Sequence, residues 1–283
     1  MQPSAENGAD THVSIATRFV AARRAGVALP GFPGALPPGI DFGYRCQDAA
    51  IALWPDRVAG WKVGYIAPER REPGGDERLV GPIFASAVYA ASGDVLDVPV
   101  FVGGFAAVEA EYVFRLGADA PAGKTDWTPD EAAALADALH VGVELAGSPL
   151  ATINELGPAV VVSDFGNNAG LILGAAIADW RRRDAAELVC SVAVEGREVG
   201  RGGAASIAGG PLAALAFALS RNARRGRPLR AGDLVTTGAA TGIHDIVAGE
   251  AALIDFGAHG RIACRAVPAA ASEAMTDRRD TAC

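Results

Sequence analysis

The chain has 283 residues, 50% of them apolar and 20% charged, a globular balance long enough to bury a substantial core and too apolar for extended disorder. Its formal charge of −8 and its dispersed arginines exclude the basic footprint of a nucleic-acid binder. The four cysteines form no C-x-x-C pair, the first ten residues have no signal-peptide pattern, and no apolar run approaches the ~20 residues of a membrane span. A reduced, cytoplasmic protein without nucleic-acid or membrane partners is expected, and neither a disulfide scaffold nor a structural zinc site.

In chain order, Ile15, Phe19 and Val20 interleaved with arginines predict a helix over Ser14 to Gly26. A Pro/Gly-rich connector from Pro30 to Gly39 leads to a second helix over Cys46 to Trp54, so residues 1–57 read as a helical N-terminal segment. From Val58 to 268 the chain turns into short β-forming runs: Val98–Val102, Val108–Phe114, Val141–Leu145, Val160–Val162 and Leu171–Leu173. Hairpins are expected at Glu195-Gly196, between Leu188–Val194 and Arg197–Val199, and around Gly257–Gly260, between Ala252–Phe256 and Ile262–Val267. Thr128-Pro129-Asp130-Glu131 carries an N-cap, a first-turn proline and an N3 glutamate, predicting a helix through Leu139; Pro211–Ser220 is another. With no β-α-β rhythm and no G-x-G-x-x-G opening a helix, a dinucleotide fold is disfavoured and a mixed or antiparallel sheet is favoured. Residues 269–283 read as a frayed tail.

Chemistry concentrates in few residues. In Val108-Glu109-Ala110-Glu111-Tyr112 strand alternation puts both carboxylates on one face, and Glu144 interrupts a second apolar strand where an unpaired charge is costly to bury. An E-x-E pair alone also suits the solvent face of an edge strand; three oxygen ligands without a nearby cysteine suit a hard ion, Mg2+ or Mn2+. Lys62 lies in the apolar Trp61-Lys62-Val63 run of a chain with only one other lysine, Lys124, which points to a compact or titratable amine, or to one that snorkels to solvent. The loops Ser163–Gly170, with Asn168, and Thr236–Gly242, with Thr237, Gly238 and Thr241, can offer backbone N–H groups, an amide and hydroxyls to an anionic substrate, though each alone reads as an ordinary turn.

Taken in order, Gly60-Trp-Lys62-Val-Gly64, Gly81-Pro-Ile-Phe84, Glu109-Ala-Glu111, Val143-Glu144, Asp164–Gly174, Gly210-Pro211-Leu212 and Leu229–Gly242 resemble the 2-keto-4-pentenoate hydratase and 4-oxalocrotonate decarboxylase group of the fumarylacetoacetate hydrolase superfamily. The resemblance spans about Val58 to Val267. It implies an α+β fold, a mixed β-sandwich roll with a small helical N-terminal addition, residues 58–268 forming the catalytic domain of a homo-oligomer. It further implies a divalent metal on Glu109, Glu111 and Glu144, a small 2-oxo or 2-hydroxydienoic acid as substrate, Lys62 as the active-site lysine and Thr241 as a substrate-facing hydroxyl.

One departure bears on the reaction. Hydratase relatives carry Asp-Phe-Gly where this chain has Leu79-Val80-Gly81, an apolar residue shared with the decarboxylases. Asp76 or Glu77, in a slightly shorter loop, is the candidate to activate water in its place. Hydration of a 2-hydroxy-2,4-dienoate is therefore the leading expectation, with decarboxylation of a 2-oxo-enedioate as its rival. Acylpyruvate hydrolysis, for which the lead-in offers only His12, and a non-catalytic ligand-binding role rank lower.

Overall fold

A computed structural model describes residues 11–271, so the expected tail lies almost wholly outside the described residues. Two helices, α1 (His12–Ala25) and α2 (Ile40–Leu53), precede β1 (Val58–Tyr65), β2 (Arg78–Phe84), β3 (Val88–Ala90), β4 (Val95–Val100) and β5 (Phe105–Leu116). Then come α3 (Pro129–Leu135), β6 (Ala136–Ser148), α4 (Pro158–Ser163), β7 (Asn168–Ala176), β8 (Val189–Val194) and β9 (Arg197–Gly203). The chain continues through α5 (Pro211–Arg224), β10 (Leu234–Thr236), β11 (His244–Asp245), β12 (Ala251–Asp255) and β13 (Arg261–Pro268).

The strands form two sheets. The larger runs β2-β1-β10-β5-β6-β7-β3 with β11 added to β5, and the smaller runs β4-β13-β12-β8-β9. Parallel pairing of β1 with β10, β3 with β7 and β4 with β13 makes both sheets mixed. On one face of the larger sheet Val108, Ala110, Tyr112 and Phe114 of β5 join the main core, which takes in Val192, Ile254 and Ile262 of the smaller sheet. The Tyr112 ring meets Phe256 edge-on at 6.0 Å, closing the sandwich. The opposite face carries a small apolar cluster of Ile83, Val113, Leu171 and Leu234, and, on the same parity, the polar site.

Both expected hairpins form, the first through a two-residue Glu195-Gly196 turn. Two expectations fail for physical reasons. Val160–Val162 is not a strand but the body of α4: Pro158 starts the helix, and its valines pack into the core while Val162 O accepts from Gln47 Nε2 of α2 at 3.1 Å. A short apolar run carries no period with which to tell the two apart. The helix at Thr128 has its capping box but stops at Leu135 rather than Leu139, because Ala136–Leu139 pair with Phe114–Leu116 and extend β6.

Candidate metal centre and active site

Strand register assembles the polar cluster. Antiparallel pairing of β5 with β6 sets Glu109 opposite Glu144 and Glu111 opposite Gly142, and Glu109, Glu111 and Glu144 are all buried. One oxygen from each lies within 4.8 Å of the others. Lys62 reaches the same face because β10 bridges β5 to β1 with Thr236 beside Val113 and Leu234 beside Gly60. Its Nζ stands 3.4 Å from Glu144 Oε1.

The surrounding backbone holds the carboxylates in place. Thr237 and Gly238 donate their N–H groups to Glu111 Oε2 at 2.9 and 2.8 Å, and Asn168 Nδ2 donates to Glu144 Oε1 at 3.1 Å. Glu109 Oε1 and Glu111 Oε1 are buried without a hydrogen-bond partner. Burial, the Glu144 charge and the opposing pull of Lys62 leave the Glu109 carboxyl pushed up to about 8, and burial with the Glu144 and Glu109 charges raises Glu111 well above its usual range. Lys62 is pulled down by burial, but Glu144, Glu109 and Glu111 outweigh this and raise it. Three crowded carboxylates with orphaned oxygens, against a single ammonium, fit a hard divalent cation.

A loop presses onto this floor. Phe165, Gly166 and Asn167 all take left-handed backbone, with φ of 55°, 63° and 55°, a conformation held only where the surroundings enforce it. Gly81, paired with Lys62, permits the approach, since a Cβ there would lie 2.0 Å from Phe165 O. Asn167 Oδ1 thereby accepts from Lys62 Nζ at 3.0 Å, and its Nδ2 donates to Asn154 Oδ1 at 2.9 Å. The loop is anchored by Arg23 of α1, whose Nε and Nη2 reach the two oxygens of Asp164 at 2.5 and 2.9 Å. Arg23 also donates to the carbonyls of Asn168 and Gly147, both at 2.9 Å, and Ser148 Oγ donates to Asp164 at 2.6 Å.

A cavity of about 310 Å3 opens above the cluster, lined among others by Lys62, Glu109, Asn167 and Leu79. Asp76 and Glu77 do not reach it. Asp76 lies 3.4 Å from Arg221 and lines an adjoining cavity, while the half-exposed Glu77 pairs with Arg78 and Arg71. These arginines outcompete the pocket for the two carboxylates. The expected substrate contacts also shift: Asn168, Thr237 and Gly238 bind Glu144 or Glu111 rather than line the cavity, and Thr241 Oγ1 lies 3.0 Å from His244 Nε2. His12 packs on Phe42, away from the cavity. Nothing local in the sequence singles out Asn154, Arg23 or Arg70, whereas Asn167 stands within the Ser163–Gly170 loop.

No model of a protein family matches the chain. Among curated proteins it is 32% identical over 185 residues to a 2-keto-4-pentenoate hydratase of Burkholderia vietnamiensis (strain G4 / LMG 22486), covering 65% of this chain and 68% of that protein. It is 31% identical, with the same coverage, to the 2-keto-4-pentenoate hydratase of Paraburkholderia phymatum. Among solved structures, 4-oxalocrotonate decarboxylase from Pseudomonas putida G7, complexed with magnesium and adipate, superposes with a TM-score of 0.75 over 90% of this chain and 97% of that chain, at 18% identity. Fumarylpyruvate hydrolase from Pseudomonas aeruginosa, in complex with Mn2+ and pyruvate, gives 0.53 over 76% and 91%, at 20% identity. These two establish the shared fold, and the sequence relatives establish more: the chain belongs to the 2-keto-4-pentenoate hydratase group of the fumarylacetoacetate hydrolase superfamily.

Proposed function

We propose that the protein is a divalent-metal-dependent lyase acting on a small 2-hydroxy-2,4-dienoate, with tautomerisation followed by water addition, as in a 2-keto-4-pentenoate hydratase. The observation that carries this is the meeting of Glu109, Glu111, Glu144 and Lys62 on one sheet face beneath a cavity of about 310 Å3. Glu109, Glu111 and Glu144 would hold Mg2+ or Mn2+, which supplies Lewis acidity toward the carboxylate and 2-oxygen of the acid. The names of the sequence relatives support the reaction, and the magnesium and Mn2+ of the two solved neighbours support the ion.

The remaining work falls to the chain's own groups. Lys62, oriented by Asn167 and buried beside Glu144, presents an ammonium to the substrate position. Tautomerisation moves a proton from the 2-hydroxyl to C5, and hydration puts a hydroxyl on C4 and a hydrogen on C3; Lys62 is placed to deliver and recover such protons. Leu79 and Val161 give the unsaturated chain an apolar wall. Residues 58–268 form the catalytic unit and 1–57 a helical addition in this reading. The protein works in the cytoplasm, consistent with free, buried Cys46, Cys190 and Cys264, and as a homo-oligomer, which light scattering checks. Among the described residues no helix is long and apolar enough to cross a membrane.

Decarboxylation of a 2-oxo-enedioate is the second reading, favoured by one observation: Asp76 and Glu77 are turned away and Leu79 faces the cavity, a wall that needs no activated water. Incubating the Mg2+-loaded protein with 2-hydroxydienoates and with oxalocrotonate, and weighing the products by mass spectrometry, separates the two. Gain of one water is expected. Release of CO2 with no hydrated product would replace the first reading by the second, and no turnover of any of these acids would remove both.

A further inference from the structure

The cavity is polar at its floor, apolar along its wall and cationic at its mouth. Lys62 and Glu109 are buried at the floor, Ile66, Leu79 and Val161 are buried apolar wall residues, and Arg70 is the exposed residue that this cavity shares with its neighbour. Arg70 ends the short turn Pro68–Arg70 and donates from Nη1 to the carbonyl of Asn154. Asn154 Oδ1 in turn accepts from Asn167 Nδ2, and Asn167 Oδ1 accepts from Lys62 Nζ. A hydrogen-bonded chain of four residues thus runs from the amine at the floor to the guanidinium at the mouth, fixing the second cation relative to the first.

That guanidinium has no ionic partner among the described residues. Arg71 and Arg78 pair with Glu77, and Arg221 pairs with Asp41 and Asp76, but no carboxylate among the described residues lies in ion-pair range of Arg70. The acidic neighbour Glu72, which lines the adjoining cavity, is engaged with the Ile40 N–H at 2.6 Å. Four of the five N–H donors of Arg70 therefore remain for a planar anion, the geometry a carboxylate meets in bidentate fashion.

We infer that Arg70 receives a second, terminal carboxylate, so that the acid taken by this site is a dicarboxylic 2-hydroxydienoate rather than a monocarboxylic one. The inference rests on the 2-oxo-acid reading of the floor, which would hold the first carboxylate. It also bears on the reaction. Water addition leaves the outer carboxylate charged throughout, so its ion pair survives. Loss of CO2 from that end sends the electrons of the breaking C–C bond into the unsaturated chain and removes the charge from Arg70, so pairing there opposes decarboxylation.

Two unreactive probes of equal length test this by calorimetry on the full, Mg2+-saturated protein: 2-oxoadipate, with a terminal carboxylate, and 2-oxohexanoate, without one. Wild type should bind the diacid roughly fivefold to tenfold more tightly, an exposed but bidentate pair being worth that much. Arg70→Gln should erase the preference while leaving the monoacid within about twofold, as a surface change does, and Arg70→Lys should restore part of it. Equal binding of the two acids by wild type, or an unchanged preference in Arg70→Gln, would overturn the inference and leave the floor reading intact. Binding of neither acid would overturn the floor reading, and the inference with it.

Discussion

The floor of the cavity is set by strand register, whereas Asn167 beside it hangs from a strained loop tied down by one buried ion pair. Glu109 and Glu144 face each other as a register pair, and Lys62 arrives through two further strand pairings, so shifting any of them means slipping a sheet. Asn167 owes its position instead to the left-handed run at 165–167 and to the Arg23–Asp164 contact from α1. Damage to the floor should therefore abolish chemistry and spare the fold. Damage to the loop's anchor should cost stability and spare metal binding.

The largest expected effect is at the floor. Glu109→Gln should lower turnover by about a thousandfold or more, by removing a ligand to the ion. Urea unfolding without metal should meanwhile show stability unchanged or increased, since one like charge leaves a crowded site. A variant that lost stability but kept turnover would erase the contrast between floor and loop.

Lys62→Arg comes next. The charge stays, but the compact amine that meets Asn167 and Glu144 is replaced by a bulkier group, so kcat should fall about a hundredfold while metal affinity, read by calorimetry, changes little. Near-normal turnover would remove Lys62 from the mechanism.

At the anchor, Asp164→Ala leaves the Arg23 guanidinium buried and unpaired, which should cost about 3–5 kcal/mol in chemical denaturation. In whatever fraction remains folded, metal affinity should stay near that of wild type, because the carboxylates belong to the sheet. Smaller still is the loss from the double variant Asp76→Ala, Glu77→Ala: with both side chains paired to arginines outside the cavity, steady-state rates should stay within about threefold of wild type. A collapse of water addition there would show that the loop carrying them closes over the substrate.

How much of this was legible in the sequence follows from the range of the interactions. Glu109, Glu111 and Glu144 stand out because strand alternation is a local rule and a carboxylate in an apolar run breaks it. Lys62 stands out by scarcity. Nothing local marks Arg23 off from the other arginines of its helix, because its partner Asp164 is 141 positions away. Asp76 and Glu77 carry no local sign that Arg221 and Arg78 compete for them, since only the fold brings Arg221 near. That the Thr237 and Gly238 N–H groups serve Glu111 is something loop composition does not carry.

Strand register builds one divalent-metal site. Soaking crystals with Mn2+ and locating the ion by anomalous scattering tests it most directly. A single strong peak is expected, bonded to one oxygen each of Glu109, Glu111 and Glu144, at the roughly 2.0–2.2 Å of small divalent ions. A peak elsewhere, or one that leaves Glu144 outside the coordination sphere and paired only with Lys62, would contradict it.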